Sequence, residues 1–183
     1  KKIISLLIIL AIIVILPTGT KTAQAYQGDT KIIVMVEDNA TEVKANETFK
    51  VYIKALNATD LFGLQLSLKY DPDIIQIVDN GINIEENMSI PGGQTEDLEN
   101  GILTYPFINT QPTKEKIEEM PIADIEFKAL KQGQVLIKLS DVKAVNRDSK
   151  IINYNTQYQT LLNVIDTSEA PSLDLPKDPR EDQ

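Results

Sequence analysis

The acidic side chains are the first candidates for chemistry in this chain. Glu85-Glu86 and Glu118-Glu119 are adjacent carboxylate pairs, the raw material of a glycosidase dyad. Adjacent residues of an extended chain point to opposite faces, and neither pair lies in an apolar stretch that would drive two pKa values apart. Both pairs read as solvated. Asp71 and Asp73, on either side of Pro72, gather oxygen ligands of the kind Ca²⁺ prefers, as do Asp141, Asn146 and Asp148. None of these has the spacing of a helix-loop-helix calcium loop, and Asp-Pro and Asn-x-Asp are also ordinary turn chemistry. The expected cofactor is therefore none, with these five positions as the Ca²⁺ alternative. With no Cys and no His in the chain, thiol catalysis, disulfides, Ser-His-Asp triads and the usual zinc sites are excluded. No catalytic constellation is left, so the protein is expected not to be an enzyme.

Charge and composition narrow the partners. The formal net charge is −9 over 183 residues. A cleaved leader would remove Lys1, Lys2 and Lys21 and leave the remainder more acidic still. Such a surface repels nucleic acid and anionic membranes, and it favours cationic partners or Ca²⁺. Aromatic residues make up only 5% and there is no Trp. A sugar platform would have to use Tyr52, Tyr105, Tyr154 or Tyr158.

The elements that must position these groups are strands. In Leu61–Asp73, Leu64, Leu66, Leu68 and Tyr70 alternate with Gln65, Ser67 and Lys69, the period of a half-buried strand. Asp71-Pro72-Asp73 stops it, because proline has no N–H for a ladder. The outer, polar face of this strand is where function is expected. Further strands are expected over Lys31–Glu37, Thr48–Leu56, Ile74–Val78, Gly101–Ile108, Ile122–Leu130, Val135–Leu139, Val142–Val145 and Thr160–Ile165. Asp79-Asn80-Gly81 reads as a tight turn, Ile82–Leu98 as a long loop, and Thr113–Met120 as the one short helical turn. Leu103, Tyr105 and Phe107 are expected in the core rather than as exposed anchors. About nine short strands with no strand-helix-strand rhythm indicate an all-β, antiparallel sandwich or barrel.

The ends are different. Lys1 and Lys2 precede the apolar run Ile3 to Leu16, and Ala23-Gln24-Ala25 supplies a small-x-small pattern; together these are the regions of a signal peptide. As a helix the apolar run would reach about 21 Å, short of a hydrocarbon core of ~30 Å. Residues 1–25 are thus expected to be a cleaved leader, with an uncleaved membrane anchor as the alternative. Residues 167–183, with Pro171, Pro176 and Pro179, are expected to be a disordered tail. The domain is expected over 26–166, outside the cytoplasm, secreted or at the cell surface. Four sequons begin at Asn39, Asn46, Asn57 and Asn87, and would mark surface loops in a glycosylating host.

Three stretches carry a family resemblance. Phe62-Gly63-Leu64-Gln65-Leu66-Ser67-Leu68-Lys69-Tyr70-Asp71-Pro72 resembles the glycine-to-Tyr-Asp-Pro strand of cohesin domains. Ile125-Glu126-Phe127-Lys128-Ala129 resembles a later strand of theirs, and Leu139 to Val145 with Asn146-Arg147-Asp148 resembles the stretch near their end; Ser149 departs from the usual glycine. The resemblance spans about Lys31–Ile165. It implies a nine-stranded jelly-roll sandwich related to family 2 and 3 carbohydrate-binding modules. It also implies a docking role: members bind dockerin modules and so assemble secreted enzymes, including polysaccharide-degrading machinery. In that picture one outer face presents Gln65, Ser67 and Lys69 together with Asp124, Glu126 and Lys128 to a dockerin-bearing partner. The same residue types suit any solvated sheet face, and alternation by itself allows both readings. Carbohydrate binding on the same fold and a structural spacer in the cell envelope are the alternative functions.

Overall fold

The computed structural model describes residues 27–157 and 159–166. The expected leader and the expected tail lie outside the described residues. In chain order the strands are β1 (Gln27–Val36), β2 (Glu42–Lys44), β3 (Thr48–Ala58), β4 (Gly63–Lys69), β5 (Ile75–Ile84) and β6 (Met88–Ser89). They continue as β7 (Thr95–Asp97), β8 (Ile102–Asn109), β9 (Ile117–Ala129), β10 (Gly133–Val145), β11 (Asn153–Gln157) and β12 (Gln159–Ile165). A 3₁₀ turn at Glu37–Asn39 is the single helical element among the described residues.

Two sheets result. The first has the order β11-β1-β3-β9-β5; the second runs β2-β12-β10-β4-β8-β6, with β7 also on β8. Twelve strands replace the expected nine because β2, β6 and β7 are short edge additions, β11 was not foreseen, and two of the expected strands are joined in β10. Nor is the sandwich wholly antiparallel: β1–β11 and β12–β2 pair parallel. Both exceptions involve edge strands, where one ladder suffices.

Alternation fills the space between the sheets. Val51, Ile53 and Ala55 of β3 and Ile125, Phe127 and Ala129 of β9 come from one side. Leu64, Leu66 and Leu68 of β4 and Val135, Ile137 and Leu139 of β10 come from the other. The expected core residues Leu103, Tyr105 and Phe107 are buried at 1%, 7% and 3% exposure. The three family stretches meet here. Tyr70 stands edge-on to Phe127, with ring centroids 5.0 Å apart, and Phe49 stacks on Phe127 at 5.8 Å. Val145 of the third stretch is paired with Gly63 of the first, and a Cβ at Gly63 would lie 2.8 Å from the Val145 Cγ2. That glycine makes room for its cross-strand neighbour.

Several local expectations are corrected. Thr113–Met120 is not helical: the Thr113 Oγ1 accepts the Glu115 N–H in a turn, and β9 then begins at Ile117, opposite Ala58. Pairing with β3 overrides the helix preference of its Lys and Glu residues. Asp79-Asn80-Gly81 is not a hairpin turn but a bulge inside β5, where the register with β9 slips between Ile77 and Ile82 and Asn80 takes φ 55°. Val135–Leu139 and Val142–Val145 are one strand, β10, bulged at Asp141 with φ 51°. The loop over Ile82–Leu98 contains β6 and β7. Of the sequon asparagines, Asn39, Asn46 and Asn57 have φ of 55°, 70° and 52°. A left-handed backbone tolerates Asn better than most residues, which gives these positions a reason for Asn without glycosylation.

Candidate docking face

β4 turns Leu64, Leu66 and Leu68 inward and Gln65, Ser67 and Lys69 to the outside of the second sheet. The register assembles the face around them. Lys69 lies between Lys138 of β10 and Ile102 of β8, Ser67 between Ser140 and Thr104, and Gln65 between Lys143 and Pro106. One step further, Leu136 of β10 pairs with Leu161 of β12, and both stay exposed, at 43% and 47%. Ser67 points outward but is only 4% exposed, and its hydroxyl is spent on Thr104 Oγ1 at 2.8 Å. Gln65 and Lys69 are the reachable members of the expected trio.

Asp124, Glu126 and Lys128 do not join this face. They project from β9, in the first sheet, so the single six-residue face is split between opposite outsides of the sandwich. Two sheets packed about 10 Å apart lie between the halves. Two lysines of the first-sheet face are paired to its own acids. Lys50 Nζ is 3.2 Å from Asp124 Oδ1, Asn83 Nδ2 donates to the same oxygen at 3.1 Å, and Lys54 pairs with Glu119 at 2.5 Å. Lys54 also lies 5.3 Å from the centre of the Tyr52 ring. The Asp124 hydrogen bond and charge hold the Lys50 ammonium above its ordinary pKa, against a smaller opposing effect of burial. Burial, then the hydrogen bond from its hydroxyl to Glu37, raises that of Tyr52.

The remaining candidates find plain employment. Asp71 Oδ1 accepts the Asp73 N–H at 2.9 Å, and Asp73 is 3.7 Å from Lys131 Nζ. Asn146 Oδ1 accepts the N–H groups of Asp148 and Lys150 at 3.0 and 2.9 Å, and Asp141 Oδ2 accepts the Ser140 hydroxyl at 3.1 Å. Among the described residues no group of three or more Asp or Glu converges as metal ligands would. Of the tyrosines, Tyr105 is buried and its hydroxyl donates to Glu96, Tyr154 donates to the Val142 carbonyl, and Tyr158 lies outside the described residues. No described helix is long and apolar enough to cross a membrane.

Leu136, Leu161, Lys138 and Lys143 were missed as site residues. The signal was present for the leucines. In Val135-Leu136-Ile137-Lys138-Leu139 and in Leu161-Leu162-Asn163-Val164, a leucine occupies the outward register of an otherwise alternating strand.

The Tyr105–Glu96 bond ties β7 down beside this face and yields a pH prediction. Burial first, then the Glu96 carboxylate, pushes the Tyr105 phenol well above its ordinary value of 10.0; burial, then the Glu96 charge, also raises that of Tyr70. The folded state holds these protons more tightly than the unfolded chain. Their contribution is therefore intact below about pH 10 and is lost as pH rises beyond it. Urea titrations should show constant stability from pH 7 to 9 and a decline above about pH 10. Lys50 acts in the same direction, so Tyr105→Phe identifies the tyrosine share: the variant should lose about 1 kcal/mol at neutral pH and show a shallower alkaline slope. An unchanged slope would remove Tyr105 from this account.

The architecture is that of an all-β, two-sheet sandwich with a flat outer face of incompletely neutralised charge. The family profile described as Cohesin domain matches residues 34–164, and the chain belongs to the cohesin family. A curated relative, Cell surface glycoprotein 1 of Acetivibrio thermocellus, is 28% identical over 161 residues, which is 77% of this chain but 7% of that protein. The chain thus spans a small part of that relative. Among solved structures, a type II cohesin domain from the cellulosome of Acetivibrio cellulolyticus superposes with TM-score 0.57 and 20% identity, covering 73% of this chain and 94% of that one. A non-cellulosomal cohesin from Archaeoglobus fulgidus gives 0.59 at 13% identity, covering 78% and 96%. The cohesin of a type I cohesin–dockerin complex from Clostridium thermocellum gives 0.59 at 11%, covering 75% and 100%. At these identities the superpositions establish the fold.

Proposed function

We propose that this domain is a non-catalytic docking module that captures a dockerin-bearing protein outside the cell, on the outer face of the second sheet. The observation that carries the choice of face is the contrast between the two outsides of the sandwich. On the first-sheet face Lys50 and Lys54 are paired to acids of the same face. Among the described residues the second-sheet face leaves Lys69, Lys138 and Lys143 without ion pairs beside an exposed Leu136–Leu161 pair, an apolar patch edged by uncompensated charge that a complementary partner can cover. Family membership and a structural neighbour described as a cohesin–dockerin complex support dockerin as the partner. A relative named as a cell-surface glycoprotein and the leader-like start of the sequence support an extracytoplasmic setting. Assembly of polysaccharide-degrading enzymes is the finer context of this reading. The domain itself is proposed to hold no metal; any Ca²⁺ requirement would belong to the partner's loops.

The test is binding of the immobilised chain to purified type I and type II dockerins in Ca²⁺, with and without chelator. Micromolar or tighter, chelator-sensitive binding to at least one is expected. Gln65→Arg together with Lys143→Glu should weaken it at least about tenfold, whereas Glu126→Lys with Lys128→Glu should leave it within about twofold. The reverse pattern would move the site to the first sheet, and retention on insoluble polysaccharide with no dockerin bound would replace docking with carbohydrate binding.

A further inference from the structure

The outer face of the second sheet contains an arrangement from which the fold itself gains nothing. Lys69 and Lys138 are direct cross-strand partners, and like charges set opposite each other destabilise a sheet. Among the described residues neither forms an ion pair. The acids of this side make other hydrogen bonds and no ion pair with either lysine among the described residues, although Asp71 borders the same shallow dip as the two lysines. Asp71 caps its own turn through the Asp73 N–H, Asp97 accepts both the backbone and side-chain nitrogens of Asn100, and Asp141 accepts the Ser140 hydroxyl. In a chain of net charge −9, two facing lysines without a counter-ion are unexpected on composition. A shallow dip lined by Lys69, Asp71, Pro72, Gln134, Leu136 and Lys138 joins them to the exposed leucine.

We infer that Lys69 and Lys138 form a receptor for a carboxylate of the docked protein, and that Leu136 and Leu161 take an apolar side chain next to it. This rests on the docking role proposed above for the same face. The occupant is a surface segment of a protein partner in which Asp or Glu neighbours Leu, Ile or Met. Net charge alone points to a cationic partner; the local pair reverses that expectation at the contact. Binding relieves the Lys–Lys repulsion, so the fold's local cost becomes affinity for an acid and rejection of a base.

The probe is a displayed library on a dockerin scaffold, diversified at exposed helical positions and selected in Ca²⁺ on the full chain. Selected dockerins should be enriched in Asp or Glu beside an apolar residue, and raising the salt concentration should weaken them. Lys69→Glu with Lys138→Glu should reduce affinity at least about thirtyfold, and changing the selected acid to Lys should restore binding to that variant. The double reversal replaces one like-charge pair by another, so its melting temperature should stay near wild type. Leu136→Ser with Leu161→Ser should cost roughly tenfold. Binders that lack acidic enrichment, or that keep their affinity for the charge-reversed variant while losing it on Gln65→Arg, would overturn the carboxylate receptor and leave the docking face standing. Binders lost instead on Glu126→Lys with Lys128→Glu, or a library that yields none, would overturn the face and this inference with it.

Discussion

Phe127→Ala should cost about 4 kcal/mol of folding stability, the largest loss expected from any single side-chain truncation in this domain. Phe127 is 0% exposed and lies where the sheets meet. It comes from β9, stacks on Phe49 of its neighbour β3, and receives Tyr70, just beyond β4 in the other sheet, edge-on. Truncation removes the transfer energy of a benzyl group, leaves a cavity lined by two rings, and ends two aromatic contacts. No neighbour can collapse into the space without pulling a strand out of register. With ordinary domain stabilities of about 5–15 kcal/mol and urea slopes of about 1–3 kcal/mol per molar, the unfolding midpoint should fall by more than 1 M. Phe127→Leu should retain more than half of the lost stability. A loss under 1 kcal/mol for the alanine variant would mean that the two aromatic family positions do not form the contact between the sheets.

Gly101→Val should cost about 3 kcal/mol or more, and Gly101→Ala most of the same amount, since the clash arises at the first side-chain carbon. Gly101 has φ 63°, and a Cβ there would lie 2.2 Å from the Tyr70 carbonyl oxygen and 3.0 Å from Pro72 Cδ. Its own carbonyl accepts the Tyr70 N–H at 3.0 Å. The backbone of Tyr70 cannot retreat, because its ring is held against Phe127 and Pro72 has a fixed φ. Any relief must therefore move the Asp-Pro corner next to Lys69. Dockerin binding should fall by more than melting temperature alone explains, measured well below the melting transition. Binding unchanged in a destabilised Gly101→Ala would show that the corner and the docking face are uncoupled.

Both sites were half visible in the sequence. The Phe127 and Tyr70 positions were recognisable as inward members of alternating strands, but their contact crosses between sheets and depends on long-range pairing. Gly101 looked like a strand boundary; its need for glycine appears only once Pro72 and Tyr70 are folded against it. The turn read into Asp79-Asn80-Gly81 failed for a related reason. Asn and Gly supply a left-handed backbone to a bulge as readily as to a hairpin.

The sequence by itself determined the all-β class, the inward faces of β4, β8 and β9, the absence of thiol and imidazole chemistry, and the family stretches. Those are properties of composition and of a period of two, which is local. Only the tertiary structure decided that Gln65 and Lys69 stand on one outside of the sandwich while Asp124, Glu126 and Lys128 stand on the other. Only it set Lys69 against Lys138 and Leu136 against Leu161. Alternation tells each residue whether it faces the core, but every strand of a sandwich obeys that rule on either sheet. Partner and register are fixed by pairings between segments far apart in the chain, and these depend on how all the strands bury their apolar faces together.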